Sequence, residues 1–217
     1  MSPLKGFFNS SVARKFWMAL TGVFLVVFLV VHLTVNLFLF ISPELFNEAS
    51  HFMAHNPLIQ VMQYVLAAGF IFHIYMGMKL TWQNWKARPV GYAYENAGAS
   101  SSWASRNMIW TGGLIFLFLF LHMGHFFVKM KFTEMTVDDY TLVTTFFQTW
   151  YWAALYVVAF VGLGIHLNHG FQSVFQSVGW KNSKWKGLMQ TVGTLYSLFI
   201  ALGFSSIAIY FFLNPVN

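Results

Sequence analysis

The chain contains no cysteine, and only 8% of its 217 residues are charged. The absence of cysteine excludes disulfides, thiolate metal sites, cysteine-ligated iron–sulfur clusters and covalently attached c-type haem. Any metal must therefore be held by histidine, methionine or carboxylate side chains. Soluble globular domains carry about 25% charged residues, and a chain with so few cannot cover itself with a water-facing surface. With 58% hydrophobic residues, the composition indicates a membrane protein.

Long apolar runs divide the chain into five candidate membrane spans. A transmembrane helix needs about 20 mostly apolar residues. The first run is too long for a signal peptide and is followed by no small-residue cleavage site, so we expect a retained helix. We therefore predict an all-α membrane protein, a single domain over residues 1–217. Its five transmembrane helices are expected at about residues 16–40, 57–82, 107–128, 147–178 and 188–213.

Basic residues are concentrated on one side of this predicted topology. The opposite side carries only Lys129 and Lys131. Because positively charged loops remain in the cytoplasm, the bias predicts a cytoplasmic N-terminus and a C-terminus outside, and the net charge of +6 does not indicate nucleic-acid binding. The ten basic residues of the cytoplasmic side are Lys5, Arg14, Lys15, Lys79, Lys86, Arg88, Arg106, Lys181, Lys184 and Lys186.

Two connecting segments have features of their own. Residues 83–105 form the longest cytoplasmic loop, polar with some aromatic residues. The sequence leaves two interpretations open, a solvated linker or a docking surface for a cytoplasmic partner. On the other side, the segment FNEASHFMAHNP is predicted to form a short helix at the membrane interface.

Four histidines lie at matched positions inside the predicted spans. His32 and His122 each follow a Thr-Gly pair by ten residues, and His73 and His166 are each followed four residues later by glycine. At 1.5 Å per residue, each histidine lies about 24 Å along its helix. Odd and even spans run in opposite directions, so we expect His32 and His122 in an outer layer and His73 and His166 in an inner layer. Ionisable groups inside a membrane are functional candidates.

Two imidazoles on facing helices suit a b-type haem, whose iron takes two axial ligands and needs no covalent anchor. Gly22 and Gly112 are expected near the inner layer, and Gly77 and Gly170 lie one turn beyond the inner ligands. A missing side chain there lets a flat porphyrin approach the backbone. A single intramembrane histidine is more often a polar group satisfied by a neighbour, and spaced glycines more often serve helix packing. Four histidines at two matched depths nevertheless favour two haems.

The remaining histidines fit this pattern less well. His125 and His169 each lie one turn beyond a favoured histidine, but His125 breaks the ten-residue glycine spacing and His169 has no glycine four residues on. We interpret both as polar groups beside the haem ligands or facing a quinone. His51 and His55 fall in the outer segment and are expected to be solvated.

In the order and spacing of these motifs, the chain resembles the di-haem cytochrome b membrane anchor of succinate:quinone oxidoreductases, the succinate dehydrogenases and fumarate reductases. The resemblance is to the five-helix, single-chain type and covers nearly the whole sequence. The stretches that carry it are HLTVN at His32, FNEASHFMAHNPLIQVMQY, FHIYMG at His73, SRNMIWTGGLIFLFLFLH from Arg106 to His122, and HLNHGFQSVFQSVGW at His166.

The resemblance implies a bundle of the first four helices around two stacked haems, with His32 and His122 ligating the distal haem iron and His73 and His166 the proximal one. It also implies a bacterial cytoplasmic membrane, a flavoprotein subunit carrying FAD, an iron–sulfur subunit, and menaquinone or another quinone as substrate. Succinate oxidation and fumarate reduction both remain open as the physiological direction. This chain would carry electrons and turn over quinone, with no catalytic residue for succinate.

The family's distal quinone site is often assigned an acidic residue near the outer start of the second helix. The nearest acids here are Glu44 and Glu48, with Gln60 and Gln63 inside the helix. Two other functions compete with the redox anchor. One is the cytochrome b subunit of another membrane oxidoreductase, of the hydrogenase or formate dehydrogenase type, and the other is a haem-free transporter or structural membrane protein.

Overall fold

A computed structural model of the protein describes residues 10–87, 103–177 and 185–216. Over these three ranges the chain is helical and contains no β-strand. A 3₁₀ turn extends the first helix, and a single helical turn at Trp103–Arg106 precedes the fourth. The seven main helices are α1 (Ser11–Leu37), α2 (Pro43–His55), α3 (Pro57–Lys86), α4 (Met108–His122), α5 (Asp139–Phe147), α6 (Trp150–Ser177) and α7 (Lys186–Leu213).

Five helices are long and apolar enough to cross a membrane, which confirms the predicted all-α architecture and its five spans. The third of them continues α4 through a π-helical turn, Met123–Phe127, into a last α-helical turn. The candidate spans are Ala13–Phe40, Pro57–Lys86, Met108–Phe132, Trp150–Phe175 and Lys186–Leu213.

The fourth span begins later than the sequence predicted. Its expected start at Phe147 is the last residue of α5, a separate helix that the apolar pattern merged with the span. The Asp138 side chain accepts a hydrogen bond from the Thr141 backbone N–H and so begins α5. The span then begins at Trp150 and is described as far as Ser177. The predicted last residue, Val178, lies outside the described residues.

Polar caps define the first two breaks in the chain. The hydroxyls of Ser10 and Ser42 cap α1 and α2, and the Asn56 side chain caps α3. Pro43 and Pro57 occupy the first helical positions that follow, where a missing N–H costs nothing. The predicted short helix after the first span is therefore present as α2.

The first four spans form a closed ring. Helix α1 packs against α3 and α6, and α4 packs against the same two helices. As a result α1 faces α4, and α3 faces α6, across the centre of the ring. The fifth span, α7, lies outside this ring against α6 and α1. Side chains reaching inward from opposite helices can therefore meet at the centre, which is where the histidines lie.

Helices α2 and α5 are joined by polar contacts between the spans. The Asn47 side chain donates to Asp138 Oδ2 (2.8 Å) and accepts from the Tyr140 backbone N–H (2.9 Å). The Ser50 hydroxyl donates to the Asp139 carboxylate. These contacts place the connections after the first and third spans together, on what we call the α2/α5 face.

The C-terminal end of the chain reaches the same face. Gln148 Nε2 donates to the Val216 carbonyl (2.9 Å), just beyond α7. Lys131 Nζ, at the end of the third span, donates to the side-chain oxygens of Gln60 and Gln63 at the start of α3 (2.7 Å each). The five spans therefore alternate in direction, as the sequence predicted.

The α2/α5 face supplies a test of the fold through the cap of α5. Hydrogen bonds from the side chain and backbone of Thr141 and from Asn47 hold the pKa of Asp138 below its usual value. A lowered pKa in the folded state means that the carboxylate stabilises the fold above about pH 4 and that this contribution is lost as the pH falls. We expect Asp138→Ala to cost about 1 kcal/mol at neutral pH and progressively less in acid, measured by thermal unfolding in detergent.

Glu134→Ala is the matched control, because Glu134 is an exposed acid in the same connection. It should leave the unfolding temperature unchanged at every pH. An equal loss in the two variants, or an Asp138→Ala effect independent of pH, would contradict the assigned role.

Two histidine pairs as the candidate functional site

The first pair of histidines meets in the half of the ring nearer the α2/α5 face. His32 on α1 and His122 on α4 have ring centroids 5.8 Å apart, with the ring planes at 82°. Each ring stacks on a phenylalanine one turn earlier on its own helix, Phe28 (5.3 Å) and Phe118 (5.7 Å). The structure thus brings together the two residues assigned to the outer layer, here called the upper pair.

The second pair joins the other two helices of the ring. His73 on α3 and His166 on α6 have ring centroids 6.4 Å apart, with the planes at 69°. Thr21 Oγ1 lies 3.3 Å from His73 Nδ1, and Thr111 Oγ1 lies 3.3 Å from His166 Nδ1. This lower pair contains the two residues assigned to the inner layer.

The two pairs lie at different depths. Thr21 contacts the lower pair, and His32 follows it by 11 residues on the same helix. At 1.5 Å per residue this separates the pairs by roughly 16 Å along the ring axis. Two imidazole pairs therefore follow one another through the centre of the protein.

Gly22 and Gly112 lie beside the lower pair, as expected from their spacing. A Cβ at Gly22 would lie 3.7 Å from His73 Cε1, and one at Gly112 would lie 3.4 Å from His166 Cε1. Both are ordinary van der Waals distances, so a Cβ would touch the histidine ring and a side chain that extends further towards the ring would collide with it. The glycines leave the lower imidazoles free to occupy the centre of the ring.

Gly77 on α3 and Gly170 on α6 lie one turn beyond the lower histidines and face α1 and α4, respectively. A Cβ at Gly77 would lie 3.7 Å from Met18 Cε, and a Cβ at Gly170 would lie 3.7 Å from Met108 Cε. The approach is thus to a flexible methionine end rather than to a histidine. Their predicted role in porphyrin packing stays a prediction.

The two halves of the ring repeat one another. The spacing from Thr-Gly to histidine in α1 and α4 is visible in the sequence. The methionine and phenylalanine that recur at the same spacing were missed, although an alignment of α1 with α4 would have shown them. Similar distances at equivalent positions give the site a quasi-twofold arrangement. The equivalent residues, each 90 apart, are Met18 and Met108, Thr21 and Thr111, Gly22 and Gly112, Phe28 and Phe118, and His32 and His122.

The upper pair lacks the hydroxyl partners of the lower one. His122 Nδ1 is buried without a hydrogen-bond partner in the part of the chain that the structure describes. His32 Nδ1 lies 3.5 Å from the Asn36 side-chain amide, the outer limit for such a bond. A buried polar atom without a partner costs about 1–3 kcal/mol, so His122 Nδ1 lowers the stability of the described structure by roughly this amount.

Both pairs fit a metal with two axial imidazoles. Imidazole nitrogens bind metals at about 2 Å, so two ligands on opposite sides of one ion have ring centres roughly 6 Å apart. The observed separations are 5.8 and 6.4 Å. Within the described ranges no three His, Asp or Glu side chains gather as they would around a zinc ion. Each pair therefore offers two imidazoles to a metal, with no third such ligand beside them in the described part of the chain.

The neighbouring histidines have other contacts. His125 lies in the π-helical turn, 3.0 Å from the Tyr156 hydroxyl through Nδ1 and 4.4 Å from the Trp152 ring. His169 Nε2 lies 3.1 Å from the Ser173 hydroxyl on its own helix. The geometry favours His122 over His125 as the partner of His32. The predicted place of His125 and His169 beside the haem ligands or facing a quinone stays a prediction.

The predicted surface features are described only in part. His51 and His55 are exposed on α2, with ring centroids 4.0 Å apart. Most of the predicted cytoplasmic docking segment, residues 88–102, lies outside the described residues, as do Lys5, Lys181 and Lys184.

No protein-family model matches the sequence, and no curated protein matches it. The functional proposal therefore depends on the geometry of the two histidine pairs and on the resemblance in motif order.

Proposed function

We propose that this chain is the di-haem cytochrome b anchor of a succinate dehydrogenase or fumarate reductase, moving electrons between an iron–sulfur subunit and menaquinone or another quinone. The observation that carries the proposal is the presence of two histidine pairs, at two depths, across one four-helix ring. His32 and His122 would hold one b-type haem, and His73 and His166 the other.

When bound, the two haems supply one-electron carriers at successive depths of the membrane. The chain's own residues hold and shield them. The four imidazoles would ligate the haem irons, and Phe28 and Phe118 stack on the imidazole rings of the upper pair. Gly22 and Gly112 leave the lower rings unobstructed. Burial among apolar side chains excludes water and, with local hydrogen bonds, tunes the reduction potentials.

The rest of the complex must come from partner subunits. A chain without cysteine cannot hold the iron–sulfur clusters, so an iron–sulfur subunit and an FAD-bearing flavoprotein would bind on the cytoplasmic side. The excess of basic residues in the N-terminal tail and in the loops after the second and fourth spans supports that orientation. The α2/α5 face would then lie outside a bacterial cytoplasmic membrane, next to the upper haem.

A pyridine haemochrome assay, with a reduced-minus-oxidised spectrum, tests the proposal on the complex purified from the native membrane. We expect two b-type haems per chain. His122→Ala should lose one of them because it removes an axial ligand, and His125→Ala should keep both because His125 contacts Tyr156 instead. Circular dichroism would establish that both variants remain helical.

Three other outcomes separate the alternatives. If only His125→Ala loses a haem, the proposed function stands, but His125 replaces His122 as the ligand on the third span. Two haems without a co-purifying flavin subunit would favour a cytochrome b of the hydrogenase or formate dehydrogenase type. Absence of any Soret band would remove the cytochrome function and favour a haem-free membrane protein.

The glycine beside the lower pair gives a second test. In Gly112→Val, the new side chain would extend beyond a Cβ that already lies 3.4 Å from His166 Cε1. We expect the His166 ring to be displaced and one haem per chain to be lost. The control is Gly113→Val, since a Cβ at Gly113 meets nothing within 4 Å. Equal haem content in the two variants would count against a haem at the lower pair.

The orientation can be measured with single cysteines, because the chain has none of its own. We expect Glu48→Cys and Asn214→Cys to react with a membrane-impermeant maleimide on intact cells, since both lie on the α2/α5 face. Lys86→Cys, at the opposite end of α3, should react only after the membrane is opened. All three positions are exposed. The reverse pattern would overturn the proposed orientation.

A further inference from the structure

Two threonine hydroxyls contact the lower histidines in the same way from opposite helices of the ring. Thr21 Oγ1 and Thr111 Oγ1 each lie 3.3 Å from a histidine Nδ1, on His73 and His166 respectively. The two contacts join residues 52 and 55 positions apart, so neither follows from local sequence. Their recurrence at equivalent positions of the two halves indicates a shared role.

The single hydrogen of each hydroxyl is engaged on its own helix. Thr21 donates to the carbonyls of Trp17 (3.0 Å) and Met18 (3.2 Å). Thr111 likewise donates to the carbonyls of the preceding turn, at 3.3 and 3.1 Å. A carbonyl can only accept, and a hydroxyl has one hydrogen to donate. Each threonine therefore presents a lone pair to its histidine, and the histidine Nδ1 carries the proton.

This assignment determines which nitrogen can bind a metal. A neutral imidazole has one N–H, so a proton on Nδ1 leaves the Nε2 lone pair free. Donation of the Nδ1 proton to an oxygen also orients the ring and makes the other nitrogen a stronger ligand. Both histidines of the lower pair are thus held in the form that ligates through Nε2.

The upper pair has no equivalent. His122 Nδ1 has no hydrogen-bond partner over the described ranges, and His32 Nδ1 is 3.5 Å from an amide nitrogen. A change that acts through threonine hydroxyls should therefore affect the lower site alone.

Resting on the haem function proposed above, we propose that Thr21 and Thr111 are positioning residues that fix the tautomer of His73 and His166 and lower the reduction potential of the haem they hold. A stronger imidazole donor favours ferric over ferrous iron. Loss of either hydroxyl should therefore raise the potential of the lower haem, and the two residues should act on the same haem although they lie 90 positions apart.

A redox titration of the purified complex, followed at the haem bands, tests this. Thr21→Val and Thr111→Val keep the shape of the side chain and remove the hydroxyl. We expect each to shift the reduction equilibrium of one haem about three- to tenfold, roughly 30–60 mV for a one-electron couple. The haem whose potential shifts should be the one that His122→Ala retains, and the potential of the other haem should not change. Thr21→Ser and Thr111→Ser should titrate like wild type.

Thr34→Val is the matched control, since Thr34 makes the same hydroxyl-to-carbonyl bond on α1 (2.9 Å) at an exposed position. If the valine variants lose haem and the serine variants keep it, the hydroxyls position the histidines as proposed, and the effect is measured as haem content instead of potential. Three results would overturn the proposal. They are valine variants that titrate like Thr34→Val, an equal shift of both haems, and serine variants whose potential shifts as far as that of the valine variants. A wild type without haem would instead remove the proposed function itself.

Discussion

Four imidazoles inside an apolar bundle are the constraint on which this protein depends. A polar side chain taken from water into hydrocarbon costs free energy unless it finds a partner. Here each imidazole meets another imidazole across the centre of the ring, so each pair joins helices that do not adjoin. Helices α1 and α4 must face each other for His32 to meet His122, and α3 and α6 must do so for the lower pair. The observed order of the helices around the ring is one that satisfies both conditions.

The repetition of the two halves produces two sites that are similar in shape but different in chemistry. Each of α1 and α4 contributes a threonine and a glycine at one depth and a phenylalanine and a histidine at the other. The lower pair therefore receives hydroxyl oxygens, and the upper pair receives stacked aromatic rings. One duplicated helix thus gives two imidazole pairs with different polar surroundings.

Much of this arrangement could be predicted from the sequence, because hydrophobic length and histidine depth are one-dimensional quantities. The five spans and the pairing of His32 with His122 required only residue counting. The separate helix α5 was missed, since its apolar residues continue directly into those of α6 and only the Asp138 cap distinguishes them. The contact between Thr21 and His73 was missed for another reason. It depends on how α1 and α3 are rotated and offset, which one sequence does not determine.

The fifth span contributes no histidine and lies outside the ring, but it contacts the helix that carries His32. Phe204 on α7 packs against the His32 ring, with centroids 5.5 Å apart. The Tyr196 hydroxyl donates to the Val26 carbonyl on α1 (2.7 Å), and Leu33 fits against Gly203, where a Cβ would come within 2.7 Å. These contacts hold α1 from outside at the depth of the upper pair. The contact with Phe204 adds to those that the His32 ring makes with Phe28 and His122, which gives the fifth helix a role in the site that the four-helix ring alone would not explain.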